Sequence, residues 1–226
     1  MKYEIKGGQL PVVVCHLDNH EKMFTESGGM SWMDENFIMD SNTRGGFLKG
    51  LGRAMAGESI FLTTYQSTKD NAEIAFGSSF PGKILPIELQ EGQNFIIQKN
   101  AFLAAEDTIQ LEPYFHKRLG SGFFGGEGFI LQKVSGHGTV FLEIDGDVIE
   151  KTLEPGETLR VDQGYIALFE TSVQFDITTV KGIKNKFLSG EGFFLATLSG
   201  PGKVYLQTMP FNVLADRIIK VIPSSN

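Results

Sequence analysis

The sequence predicts an all-β protein, with three tandem β-sandwich or barrel-like repeats in a pseudo-threefold arrangement and a C-terminal helix. Three observations lead to this prediction. The 226 residues include 27 glycines and 19 phenylalanines, and glycine favours turns while phenylalanine favours strands. Several short segments alternate polar and apolar residues, which is typical of half-buried strands. The chain also matches itself when position 89 is aligned with position 153, and self-similarity at a fixed spacing indicates repeated structural units.

The internal repeat is clearest between residues 89–142 and 153–206, which align without a gap. A more diverged copy precedes them, in which Gly57 and Glu58 match a Gly-Glu pair that both later copies contain. Units of this length are longer than solenoid repeats and favour small domains fused in tandem. We predict four segments: repeats at 1–80, 81–145 and 146–209, and a C-terminal helix and tail at 210–226.

Local patterns define the predicted elements. Residues 108–112 and 172–176 alternate polar and apolar side chains and are predicted strands. Residues 128–132 and 139–143 flank a Ser-Gly-His-Gly turn, which predicts a β-hairpin.

Two helices are predicted. Pro210 can occupy the first helical position, and apolar residues follow at helical spacing up to Pro223. We expect the apolar face of this helix to cover an open sheet edge or face. A shorter helix is predicted at Gly46–Met55.

Composition excludes several classes of protein. The net charge of −7 argues against a general nucleic-acid binder. The single cysteine, Cys15, permits no intrachain disulfide and no all-cysteine zinc site. The longest early apolar stretch, residues 10–15, is too short for a signal peptide or a membrane span. We therefore expect a cytoplasmic protein without a transmembrane segment, for which nucleic acid is an unlikely partner.

No arrangement of residues indicates catalysis. The histidines are few, and His16 and His20 have metal-ligand spacing only in a segment that does not resemble a helix. Cys15 follows three valines and is expected to be a buried, unreactive thiol. Residues 138–169 are similar to a cupin motif, but His137 is the one histidine available there, whereas a metal cupin needs a cluster. We predict no enzyme activity, no cofactor and no metal, and keep a cupin-like small-molecule-binding protein or enzyme as an alternative.

The repeated Gly-Glu motif contains Glu58, Glu127 and Glu191. If the repeats pack as a ring, these carboxylates would surround one axis and could bind a cation. Alternatively, each glutamate satisfies backbone N–H groups at a glycine turn.

Basic residues cluster just before this motif in all three copies. Eight of the 20 lysines and arginines lie in these three segments: Arg44, Lys49, Arg53, Lys117, Arg118, Lys181, Lys184 and Lys186. Equivalent loops of a pseudo-symmetric ring should share one end of the molecule. Because phenylalanines and leucines accompany the charges, this end is suited to an anionic surface such as lipid headgroups. Alternatively, the loops are solvated and their apolar residues pack between repeats or subunits.

The residues from Arg44 to Arg53, the segment Gly57–Leu62 and the later Gly-Glu-Gly-Phe motifs resemble a bacterial family related to the altered-inheritance-of-mitochondria protein number twenty-four. The resemblance extends over nearly the whole chain. It implies a fold like that of the trp RNA-binding attenuation protein, with three such β units per chain, and implies no enzyme activity. It does not imply RNA binding, because a fold does not determine a function.

These observations predict a non-enzymatic scaffold or binding protein that forms a homo-oligomer. Its basic and aromatic end would contact an anionic partner, such as a membrane surface. The alternatives are the cupin-like protein and nucleic-acid binding through the same end.

Overall fold

The computed structural model of the protein describes residues 1–26, 28–41, 62–114, 130–179 and 194–222. Regular structure in these residues is almost entirely β-strand, followed by one short C-terminal helix. The predicted all-β class with a C-terminal helix is therefore confirmed. The helix predicted at Gly46–Met55 lies outside the described residues.

The described residues contain nineteen strands and one α-helix, and short 3-10 turns precede β10 and β16. The strands are β1 (Lys2–Lys6), β2 (Val12–Leu17), β3 (Lys22–Glu26), β4 (Met30–Met33), β5 (Phe37–Asp40), β6 (Leu62–Ser67), β7 (Ala72–Gly77), β8 (Gly82–Leu89), β9 (Phe95–Gln98), β10 (Phe102–Glu106), β11 (Ile109–Pro113), β12 (Leu131–Gly136), β13 (Gly138–Asp145), β14 (Val148–Leu153), β15 (Thr158–Asp162), β16 (Ile166–Glu170), β17 (Gln174–Thr179), β18 (Phe194–Ser199) and β19 (Gly202–Gln207), and the helix is α1 (Phe211–Ile219).

The strands form four sheets with a regular order. Sheet 1 has the order β1-β2-β7-β4, sheet 2 β5-β6-β3-β10-β13-β8, sheet 3 β11-β12-β9-β16-β19-β14, and sheet 4 β15-β18-β17. Adding six to each strand number of sheet 2 gives the order of sheet 3. The predicted repeat boundaries at 80/81, 145/146 and 209/210 stay a prediction.

Sheets 1 and 2 belong to one compact unit and share its core. This unit consists of the described part of residues 1–93 together with residues 100–111 and 135–144. Val13 and Phe76 of sheet 1 belong to one buried cluster with Met23 and Phe141 of sheet 2. Burying a side chain of this size stabilises the fold by about 1.5–3 kcal/mol. The buried apolar side chains of sheets 1 and 2 therefore hold this unit together.

Sheet 4, the helix and most of sheet 3 belong to a second compact unit. It consists of residues 94–99, the described part of 112–134, and the described part of 145–226. Ile96 and Phe169 of sheet 3 are in one buried cluster with Phe175 and Leu198 of sheet 4. The rings of Phe169 and Phe175 stack with centroids 5.6 Å apart.

The predicted β-hairpin across residues 135–138 is wrong. β12 pairs with β9, whereas β13 pairs with β10, so the connection passes from sheet 3 to sheet 2. Gly136 and Gly138 have φ values of +106° and +111° there. Both a hairpin and a connection between sheets require glycines in such conformations, and the turn residues alone do not separate the two.

The helix α1 begins one residue later than predicted, because Pro210 is its N-cap. Asp145 is remote in sequence but caps this helix. Its Oδ2 accepts a hydrogen bond of 2.8 Å from the backbone N–H of Phe211. No residue of α1 is buried. Phe211 is 55% exposed and Ile219 is 65% exposed, so the expectation that the apolar face of this helix covers a sheet is wrong.

Candidate functional site

The site residues predicted from the sequence lie outside the described residues. Arg44, Lys49, Arg53 and Glu58 are in 42–61, Lys117, Arg118 and Glu127 are in 115–129, and Lys181, Lys184, Lys186 and Glu191 are in 180–193. Whether the basic residues converge on one face, and whether the glutamates meet on one axis, stay predictions. We call the three ranges the basic connections.

Each basic connection joins two neighbouring antiparallel strands of one sheet. The first joins β5 to β6, where Asp40 faces Thr64. The second joins β11 to β12, where the N–H of Tyr114 donates to the carbonyl of Leu131 at 2.9 Å. The third joins β17 to β18, where the corresponding positions of the repeat, Thr178 and Leu195, also face each other. The second and third connections therefore leave and rejoin their ladders at corresponding positions.

A carboxylate recurs beside the three turns that join β6 to β7, β12 to β13 and β18 to β19, each of which passes from one sheet to another. Oδ2 of Asp34 accepts a hydrogen bond from the backbone N–H of Glu73 at 3.0 Å. Oε2 of Glu106 accepts one from Thr139 at 2.6 Å, and Oε2 of Glu170 accepts one from Lys203 at 2.9 Å. Hydrogen bonds from backbone N–H groups to charged acceptors are stronger than neutral ones. We call these three contacts the carboxylate clamps.

A glycine makes room for the clamp in the two later turns. A Cβ on Gly138 would lie 2.7 Å from Oε2 of Glu106. A Cβ on Gly202 would lie 2.5 Å from Oγ of Ser172 and 3.1 Å from Oε2 of Glu170. Both glycines also have positive φ values, of +111° and +142°. Both turns therefore need glycine for the backbone conformation, and in the β12–β13 turn the close carboxylate requires it as well.

The described residues contain no group of three His, Cys, Asp or Glu side chains placed to hold a metal ion. Cys15 is fully buried in the core of the first unit, as predicted. Burial raises the pKa of its thiol to about 12, and a protonated thiol is a poor nucleophile and metal ligand.

Sequence reasoning missed two exposed apolar surfaces. Trp32 on β4 is 46% exposed, and its indole N–H donates to Oε1 of Glu73 at 2.8 Å. The second surface is the C-terminal segment, which we call the apolar tail and which presents Met209, Phe211, Ile218, Ile219, Val221 and Ile222. Because apolar residues of strands and helices are usually buried, the sequence offered no signal that these would face solvent.

No helix within the described ranges has the length and apolar character needed to cross a membrane.

A family model, a bacterial relative and a solved structure are similar to nearly the whole chain. A family model described as mitochondrial biogenesis AIM24 matches residues 3–209. An uncharacterised protein of Streptococcus pyogenes serotype M6 is 28% identical over 235 residues, covering 100% of this chain and 93% of that protein. A crystal structure of a Streptococcus pyogenes protein superposes with a TM-score of 0.78 at 24% identity, covering 98% of this chain and 99% of that one. The likeness to the crystal structure shows the fold. The family model matches most of this chain, so the chain belongs to the mitochondrial biogenesis AIM24 family.

Proposed function

We propose that this chain is a non-enzymatic binding or scaffold protein of the cytoplasm that contacts an anionic membrane surface through its three basic connections. The proposal rests on the second and third basic connections, which begin and end at corresponding positions of their strand pairs. The strand ends that flank these two connections pair at matching positions of the repeat. Repeated contacts on one surface add in free energy and raise the overall affinity.

The charge distribution supports an anionic partner. The three connections hold eight lysines and arginines and three glutamates, a net charge of +5. The whole chain has a net charge of −7, so the residues outside the connections carry a net charge of −12. Each basic residue near an anionic membrane contributes about 1 kcal/mol of attraction. Binding through the connections alone would keep the acidic remainder of the protein in solution.

Apolar residues favour a membrane over nucleic acid. The connections contain eight phenylalanines as well as the basic residues, and aromatic side chains with lysine and arginine are typical of interfacial membrane contacts. The apolar tail adds exposed Ile218 and Ile219 beside Arg217 and Lys220.

Vesicle co-sedimentation tests the proposal. We expect vesicles of phosphatidylcholine with phosphatidylserine to sediment much more protein than pure phosphatidylcholine vesicles, with less binding at high salt. The triple variant K181Q/K184Q/K186Q should bind about 100-fold more weakly, because three lysines contribute about 3 kcal/mol.

A charge-matched control removes three lysines elsewhere. Lys2, Lys22 and Lys151 are exposed on strands β1, β3 and β14, so K2Q/K22Q/K151Q lowers the net charge equally without touching a connection. Equal loss of binding in both variants would show attraction by net charge alone and would refute the proposal. Vesicle-independent binding of single-stranded RNA would favour the nucleic-acid alternative, and stoichiometric bound iron, manganese or zinc would favour the cupin-like one.

A further inference from the structure

The apolar tail concentrates exposed apolar side chains directly after the last strand of the second unit. Thirteen large apolar side chains of the described residues are exposed, and six of them lie in the tail, at 209–222. The other seven are distributed over four strands and the connection before β2. A continuous exposed apolar surface on a folded protein indicates a contact with a partner or a membrane.

The start of the tail is held to the turn between β13 and β14. The backbone N–H of Met209 donates to the carbonyl of Asp145 at 3.1 Å, and the N–H of Thr208 donates to the carbonyl of Asp147 at 3.0 Å. Oγ1 of Thr208 accepts a hydrogen bond of 2.8 Å from the N–H of Asp147. Together with the cap on Phe211, these contacts fix the place where α1 begins. The exposed side chains that follow are therefore presented to the solvent as one group.

The residues of α1 and its C-cap separate into an apolar side and a polar side. At 3.6 residues per turn, the apolar side is formed by Phe211, Leu214, Ala215 and Ile218, and the polar side by Asn212, Asp216 and Lys220. The nine residues of α1 extend over about 13 Å, and a helix needs about 20 residues to cross a bilayer. A short helix with separate apolar and polar sides is suited to lie along a membrane surface.

The charges of the tail are complementary to anionic lipid headgroups. Arg217 and Lys220 are exposed and flank Ile218 and Ile219. With Asp216, the tail has a net charge of +1, so the rest of the chain has a net charge of −8. Arginine and lysine beside isoleucines allow the apolar side chains to enter the acyl region while the cationic groups stay among the headgroups.

We propose that the apolar tail inserts into the boundary between headgroups and acyl chains of an anionic bilayer, with α1 parallel to the membrane surface. Phe211, Ile218 and Ile219 enter the apolar layer, followed by Val221, which is 79% exposed. This inference rests on the proposed function, because both require a membrane as the partner. It assigns the hydrophobic part of the contact to a segment separate from the basic connections. Burial of apolar surface is not screened by salt, whereas attraction between charges is.

Tryptophan fluorescence tests the insertion directly, because Trp32 is the one tryptophan of the chain. The variant W32F/F211W places the reporter on the apolar side of α1, and the matched control W32F/N212W places it on the polar side. With vesicles of phosphatidylserine and acyl-brominated phosphatidylcholine, we expect a blue shift and a marked loss of fluorescence for W32F/F211W, and little change for the control. Equal quenching of the two reporters, or quenching of neither in protein that sediments with the vesicles, would overturn the inference.

Co-sedimentation at high salt separates the tail from the basic connections. At 1 M salt the Debye length falls to about 3 Å, and we expect the wild type to retain part of its binding through the tail. I218Q/I219Q should bind about 10-fold to 100-fold more weakly, because each half-exposed isoleucine loses part of its transfer free energy. The control I38Q/I149Q replaces two isoleucines that are exposed on β5 and β14 and should bind like the wild type. All four replaced side chains are exposed, so both variants should fold.

The outcomes distinguish this inference from the proposed function. K181Q/K184Q/K186Q should lose binding at low salt and keep the residual binding at 1 M salt. Wild-type binding that disappears at high salt, or an equal loss in the two isoleucine variants, would overturn the insertion of the tail and leave the proposed function standing. An effect of I218Q/I219Q on the mass in solution without an effect on vesicle binding would show that the tail joins copies of the chain, and would overturn the inference as well.

Discussion

Replacing Gly138 with alanine tests whether the carboxylate clamp determines the turn between β12 and β13. Gly138 has a φ of +111°, and an added Cβ would lie 2.7 Å from Oε2 of Glu106 and 3.0 Å from Oγ1 of Thr108. Real Cβ atoms do not come as close to an oxygen as the first of these distances. The Glu106 carboxylate must therefore move away, and its 2.6 Å hydrogen bond from Thr139 must lengthen or break.

Two costs add in this variant. A side chain at positive φ costs about 1–2 kcal/mol, and losing a hydrogen bond to a charged acceptor costs about 1.5–3 kcal/mol. We expect G138A to lower the free energy of unfolding by about 2.5–5 kcal/mol, the sum of these two terms.

Gly156 provides the matched control. It has a φ of +85°, but an added Cβ there would meet no atom within 4 Å. G156A should therefore show the conformational cost alone, about 1–2 kcal/mol. Urea unfolding followed by circular dichroism measures both variants. If G138A and G156A are destabilised equally, the clamp contributes nothing and the reasoning is wrong.

Three further predictions concern single residues. Because burial raises the pKa of the Cys15 thiol to about 12, iodoacetamide should not label the native protein at pH 8 but should label it in urea; labelling at equal rates in both would contradict this. Burial also raises the pKa of Asp145 above its usual value, opposed in part by the hydrogen bond from Phe211. The folded state then retains a proton at a pH where the unfolded chain releases it, so the stability of the wild type relative to D145N should fall as pH rises above about 4, the usual pKa of an aspartate; urea midpoints of the two proteins that stay parallel as the pH rises would refute it. Finally, Trp32 is the one tryptophan of the chain and is 46% exposed, so iodide should quench its fluorescence in the native protein; a native fluorescence that iodide leaves unchanged would contradict this exposure.

The strands could be predicted from the sequence, but their partners could not. Alternation along residues 108–112 reflects a local property, namely which side chains face the core, and β11 begins there at Ile109. Pairing is not local, because Thr25 faces Ala104 from a distant part of the chain. The turn at Gly136 and Gly138 resembles a hairpin turn because glycine indicates a positive φ at these positions. Glycine does not indicate which strand the following segment pairs with.

The candidate site was also predictable from the sequence only in part. Charge and composition identify the basic connections without coordinates, because eight lysines and arginines in three corresponding segments are visible in the sequence alone. The exposure of Trp32 depends on which strand ends sheet 1. The helix prediction located α1 correctly, but its apolar spacing could not reveal that Phe211 and Ile219 face solvent.

The way the two compact units share the chain constrains the order of events during synthesis. Sheet 2 needs β13, which ends at Asp145, in addition to strands that are made much earlier. A ribosome adds roughly 5–20 residues per second, so the first unit waits for several seconds with its β10 edge uncovered. The emerging N-terminal segment therefore exposes an unpaired strand edge to the solution until β13 has been made.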